Sequence, residues 1–141
     1  MGTPVKPLFL TMMSKPDMHT SAGVVIVEPD GRIWVVHPTN RFGGYQASFA
    51  KGRLEKGISL QAQAIKEAYE EAGLQVALTG FFQDVTRSTS VSRYYFAKRV
   101  GGTPAATGWE SQAVSLVPKN KLKDFLDQTV DKKMADGIAE S

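Results

Sequence analysis

The chain has 141 residues, 42% of them apolar, no cysteine, and a formal charge of +3. That length suits one domain, and the apolar share excludes global disorder. The lack of cysteine excludes disulfides and thiolate metal sites, and the mild positive excess suits anionic substrates while falling far below the charge density of a dedicated nucleic-acid binder.

Residues 1–18 hold three prolines and scattered methionines without a period, which predicts a loose leader with an edge strand around Leu8–Thr11. "PLFLTMM" (7–13) is too short for a membrane span and lacks a basic leader and cleavage site. The expectation is a cytoplasmic protein with one domain over 19–141. "AGVVIVEPDGRIWVVHP" (22–38) is two β-rich runs around Pro29-Asp30-Gly31, which predicts a hairpin. "TNRFGGYQAS" (39–48) and "FAKGRLEKGIS" (49–59) read as two glycine-punctuated loops.

Ser59 is an N-cap candidate and Gly73 a C-terminal cap candidate, with about 13 helix-forming residues between them. At 100° per residue, Ala62, Ile65, Ala68, Tyr69 and Ala72 form the expected apolar face. "LQVALTGFFQDVT" and "SRYYFAKRV" read as strands joined by "RSTSVS" (87–92). "GGTPAATGWESQ" (101–112) is a polar loop, and "AVSLVP" (113–118) a short strand. Leu122, Phe125, Leu126 and Val130 recur at helical spacing, which predicts a closing amphipathic helix over 119–135. Tyr94 and Tyr95 alternate on a strand, so one is expected inside and one outside. His19 and His37 show no ligand spacing and read as structural.

The helix carries Glu67, Glu70 and Glu71 at i, i+3 and i+4, on an arc opposite the expected apolar face. The ordinary reading is a solvated charged face. Three details oppose it. Glu67 and Glu71 are like charges at i, i+4, which costs a few tenths of a kcal/mol. Glu70 and Glu71 lie in the last turn, where the helix dipole disfavours anions by roughly 0.3–1 kcal/mol each. Lys66 offsets only part of this. A divalent cation held by all three carboxylates would reverse these penalties, and oxygen-only ligation suits Mg²⁺ or Mn²⁺.

"GRLEKGISLQAQAIKEAYEEAGL" (52–74) resembles the signature of the Nudix hydrolases. Gly52, Glu67, Ala68, Glu70, Glu71, Gly73 and Leu74 fall in register without a gap. The resemblance spans roughly 19 to 135. It implies an α+β fold, an α/β/α sandwich around a mixed β-sheet, with the box holding metal against a diphosphate. Two positions depart from the pattern: the family's first glutamate is Ile58 here and its arginine is Lys66. Those positions form a supporting charge pair in the family, so their joint change implies retained metal ligands with weakened support.

By the same resemblance, Lys51 and Arg53 in "AKGR" would touch phosphates, and a backbone carbonyl at Lys51 or Gly52 would ligate metal. Glu110 would assist metal or water, with Trp109 beside it. Arg41 and Tyr45, and Arg87 and Arg93 around "STSVS", could line an anionic pocket, although each alone reads as an ordinary surface residue.

The implied function is a Mg²⁺- or Mn²⁺-dependent pyrophosphohydrolase cleaving a nucleoside diphosphate linked to another group, or a related polyphosphate. Glu67, Glu70 and Glu71 would hold metal, and Glu70 or Glu110 would take a water proton. The competing reading is a catalytically weakened domain that binds a nucleotide or a partner, favoured by Ile58 and Lys66. RNA-end processing is chemically allowed by the family, but the sequence offers no convincing RNA surface. No membrane partner is expected, and a homodimer is compatible with the sequence.

Overall fold

The computed structural model describes residues 18–37, 48–103, 113–126 and 129–140. The expected leader with its edge strand, most of the first loop, and the 104–112 segment lie outside them. Six strands are seen: β1 (His19–Ile26), β2 (Ile33–His37), β3 (Ala50–Arg53), β4 (Leu74–Thr86), β5 (Ser90–Gly102) and β6 (Ala113–Val117). Helix α1 (Leu60–Ala72) lies between β3 and β4, and α2 (Leu122–Phe125) and α3 (Thr129–Ala139) follow β6.

The main sheet has the order β3-β1-β5-β4. β1 runs parallel to β5, while β1–β3 and β4–β5 are antiparallel, which makes the sheet mixed. β2 and β6 form a separate antiparallel pair. Buried side chains divide between the two faces of the main sheet. One core gathers Ala22, Val24, Ile26 and Tyr95 with Ala64, Ala68 and Ala72 of α1. The other gathers Val25 and Tyr94 with Leu122, Leu126, Met134 and Ile138 of the C-terminal helices. This is the expected α+β sandwich.

Several local expectations need correction. The turn after β1 forms, with the Glu28 N–H donating to Arg32 O and the Gly31 N–H to Glu28 O. The strands it joins share only the Val27–Ile33 bridge before β2 turns away to β6, so no extended hairpin is built. Residues 50–53, expected in a loop, are a strand because the edge of β1 offers them a ladder. The expected 119–135 helix is broken: a 3-10 turn at Lys119–Lys121 leads into α2, and extended backbone at Leu126 (φ −83°, ψ 136°) precedes α3. Tyr94 and Tyr95 are both fully buried, because helices cover both faces of the strand that carries them.

Candidate active site

Helix α1 begins and ends where its caps dictate. The Ser59 hydroxyl accepts the Ala62 N–H at 3.1 Å, and Gly73 takes the left-handed conformation (φ 73°) with its N–H directed to Ala68 O and Tyr69 O. Such caps contribute roughly 1 kcal/mol at the N-terminus, and a Cβ would penalise the glycine's left-handed backbone. The last turn contains no basic residue, so no cation within that turn offsets Glu70 and Glu71 at the carbonyl end of the helix.

The buried face of α1 differs from the expected one. Ile65 and Tyr69 are 39% and 47% exposed, whereas Gln63 and Glu67 are buried beside Ala64, Ala68 and Ala72. The helix is rotated so that a polar pair enters the interior. Glu67 therefore does not lie opposite the packed face but on it. A Cβ on Gly52 would fall within contact distance of the whole Glu67 carboxyl group, with Oε1 at 2.6 Å. The glycine at this point of β3 makes the room that Glu67 occupies.

Each member of the carboxylate trio has its own protein partner. Glu67 Oε2 accepts the Gln63 amide at 2.8 Å. Glu70 meets Lys66 Nζ at 3.1 Å. Glu71 Oε1 accepts the Lys51 backbone N–H at 3.1 Å, which ties α1 to β3. Among the described residues, no three acidic or imidazole groups are already drawn together as a metal cage. Burial first, and then the neighbouring Glu67, push the Glu71 carboxyl up to about 7, against the opposing Lys51 N–H. Glu67 is likewise raised, first by burial. Two desolvated like charges that repel one another, offering oxygen only, are a donor set suited to a hard divalent cation.

Lys66 is neither free nor without a carboxylate partner. Its Nζ lies between Glu55 and Glu70, and those two hydrogen bonds, Glu55 foremost, raise its pKa. The partner thought lost with Ile58 is supplied from a position three residues earlier. Ile58 itself is partly buried.

The predicted substrate-binding residues have separate locations. Lys51 is held below the usual lysine range by burial and by the nearby Arg87, with Glu71 and Asp131 opposing. Arg53 is exposed at the end of β3. Arg87 is directed inward: it donates to Asp131 at 3.1 Å, to Ser92 at 3.2 Å and to the Tyr94 hydroxyl at 3.3 Å. Arg93 is 1% exposed, donates to both oxygens of Asp84 at 2.8 and 2.9 Å, and lies over the Phe81 ring. Its guanidinium, expected in an anionic pocket, is instead part of the interior. Arg41, Tyr45, Trp109 and Glu110 lie outside the described residues. His37 Nε2 is 2.7 Å from the Ser115 hydroxyl across the β2–β6 pair, consistent with a structural role.

Three residues escaped sequence reasoning: Glu55, Gln63 and Asp131. Gln63 stands four residues before Glu67, so a shared helix face was the available signal. Asp131, 2% exposed on α3, had no local signal because its partner Arg87 lies 44 residues away.

The family model for the NUDIX domain matches residues 17–138. A curated relative from Caulobacter vibrioides, called RNA pyrophosphohydrolase, is 30% identical over 105 residues, covering 73% of this chain. The chain spans 58% of that relative's length. A NUDIX hydrolase structure from Nitrosomonas europaea aligns with a TM-score of 0.75 at 13% identity, covering 87% of this chain and 89% of the other. A Streptococcus suis structure described as an ADP-ribose pyrophosphatase aligns with a TM-score of 0.66 at 18% identity, covering 86% and 87%.

Proposed function

From the premise that this chain belongs to the NUDIX family, we propose that it is a divalent-metal-dependent pyrophosphohydrolase acting on a nucleoside diphosphate linked to another group or on a related polyphosphate. The carrying observation is the Glu67–Glu71 pair: two carboxylates, one helical turn apart, both raised first by burial, with the Glu67 charge raising Glu71 further. Protein chemistry alone leaves that repulsion standing, and a divalent cation relieves it.

Glu67, Glu70 and Glu71 would hold Mg²⁺ or Mn²⁺. Bound there, the cation would neutralise diphosphate charge and lower the pKa of a coordinated water. The Lys51 backbone N–H fixes Glu71 against β3, and the Lys51 and Arg53 side chains of the same strand are the described cations best placed by sequence to receive phosphate oxygens. Arg41 and Glu110 keep the roles proposed from the sequence, and Glu70 or Glu110 takes the proton from the attacking water. Arg87 and Arg93 are left out of substrate binding because their guanidinium groups are already engaged inside the fold.

The curated relative is named for cleaving a pyrophosphate, as is the Streptococcus suis structure. This supports the reaction type for the present chain and keeps an RNA 5′ end among its substrates to test. The alternative, a weakened binding domain, drew on the departures at Ile58 and Lys66; the Glu55–Lys66 ion pair, which keeps a carboxylate on the Lys66 cation, favours the enzyme reading.

The metal reading has a proton-linked consequence. The Glu71 carboxyl is raised from 4.5 to about 7 in the folded protein. Its contribution to metal-free stability is fully present below about 4.5 and lost as pH rises through 7. A cation must displace that same proton, so metal binding strengthens with pH over this window. Mn²⁺ at a hundredfold excess over Kd is expected to raise the melting temperature by roughly 5 °C or more at pH 8, and distinctly less at pH 6. Differential scanning fluorimetry at both pH values checks this. A pH-independent shift, or the same shift in Glu67→Gln/Glu71→Gln, contradicts the assignment.

A further inference from the structure

Gln63 touches the carboxylate trio without belonging to it, and Glu55 touches Gln63 and Lys66. A fully buried primary amide is tolerated only when its polar atoms are satisfied, and those of Gln63, 0% exposed, are. Its Oε1 accepts the Glu55 N–H at 3.0 Å. Its Nε2 donates to Glu67 Oε2 at 2.8 Å and to Glu55 Oε2 at 3.3 Å. The same Glu55 oxygen receives Lys66 Nζ, which also reaches Glu70 Oε2 at 3.1 Å. One loop carboxylate is thus joined through an amide to Glu67 and through an ammonium to Glu70. Gln63, Lys66, Glu67 and Glu70 stand at i, i+3, i+4 and i+7, a single stripe along α1, and Glu55 sits against its N-terminal end.

We infer that Glu55 is a positioning residue: acting through Gln63 and Lys66, it sets the directions of Glu67 and Glu70 and thereby the affinity of the site for a divalent cation. The inference rests on the metal reading above. The Glu55 and Lys66 side chains are 48% and 37% exposed, and ion pairs so exposed add little to folding stability. Their effect falls on the orientation of the two carboxylates. Partners of metal ligands of this kind typically change metal affinity about 10–100-fold.

The test is a Mn²⁺ titration of the full chain, following free Mn²⁺ by electron paramagnetic resonance, for wild type, Glu55→Gln, Lys66→Met, the double variant and Lys66→Arg. Each of Glu55→Gln and Lys66→Met is expected to weaken Mn²⁺ binding about 10-fold or more, with metal-free melting close to wild type. The double variant should bind no more than about threefold more weakly than the weaker single, because both changes cut the same connection. Lys66→Arg, which keeps the cation between the two glutamates, should bind within a few-fold of wild type. Single variants within twofold of wild type, or losses that multiply in the double variant, overturn the inference while leaving the metal site standing. A wild type that takes up no Mn²⁺ overturns both.

Discussion

Glu71→Gln is expected to lower turnover on the best substrate by a factor of a thousand or more while making the metal-free protein more stable at pH 8. The two effects have one cause. The carboxylate is desolvated, repelled by Glu67, and pushed up to about 7, so its ionised form burdens the fold above that pH. Glutamine keeps the shape and can still accept the Lys51 N–H that Glu71 Oε1 accepts now. The gain in metal-free stability is on the order of 1–2 kcal/mol after allowing for partial screening, or a few degrees of melting temperature. The catalytic loss follows because glutamine is a poor ligand for a hard dication, and a thousandfold corresponds to about 4 kcal/mol of transition-state stabilisation. Steady-state kinetics and metal-free melting at pH 6 and pH 8 read both. A variant that retains near-wild-type turnover, or is stabilised equally at both pH values, does not fit.

Gly52→Ala should damage activity, though less than Glu71→Gln, while leaving the fold close to wild type. The added methyl group falls on the Glu67 carboxyl, the far end of a flexible side chain that can swing aside. To do so it must leave the Gln63 amide. Misplacement of a working group by about 1 Å can cost on the order of 100-fold in rate, and a loss of that size in kcat/KM is expected. β3 should persist, because its ladder to β1 needs no side chain at this position. Melting within a few degrees of wild type together with near-normal kcat/KM would show that Glu67 has no fixed place in the reaction.

The parts of the fold legible in the sequence were those encoded locally. Ser59 and Gly73 marked the ends of α1 because each carries its own capping chemistry. β4 was readable to both its ends, between the capping glycine and a polar turn. β3 was hidden because "AKGR" has no strand pattern, and its pairing comes from β1, far upstream in the chain. The face of α1 was misjudged because polar residues, not its largest apolar ones, are packed inward. Amphipathicity assigns Ile65 and Tyr69 to the interior, yet this helix buries Gln63 and Glu67. Such a departure from local rules is the pattern expected where the proposed site lies. The spacing of the trio was visible, but its connections were not. Glu55 reaches Lys66 only because the loop before Ser59 folds back onto the helix, and the register comparison directed attention to Ile58 instead. Arg87 and Arg93 looked like pocket cations by position, and only the tertiary partners Asp131 and Asp84 reveal their work inside the fold.

The central claim is metal-dependent cleavage of a phosphoanhydride by the α1 carboxylates. Its most direct measurement incubates wild type and Glu71→Gln with a panel of diphosphate compounds, including ADP-sugars, dinucleoside polyphosphates, nucleoside triphosphates and 5′-triphosphorylated RNA, in H₂¹⁸O with and without Mg²⁺ or Mn²⁺, and identifies products by mass. The account predicts that wild type splits at least one compound between two phosphorus atoms, with a single ¹⁸O entering one product phosphate, only when metal is present, and that Glu71→Gln does so at most at a thousandth of the rate. Cleavage that persists in a chelator, or a wild type that turns over nothing in the panel with metal present, would contradict it.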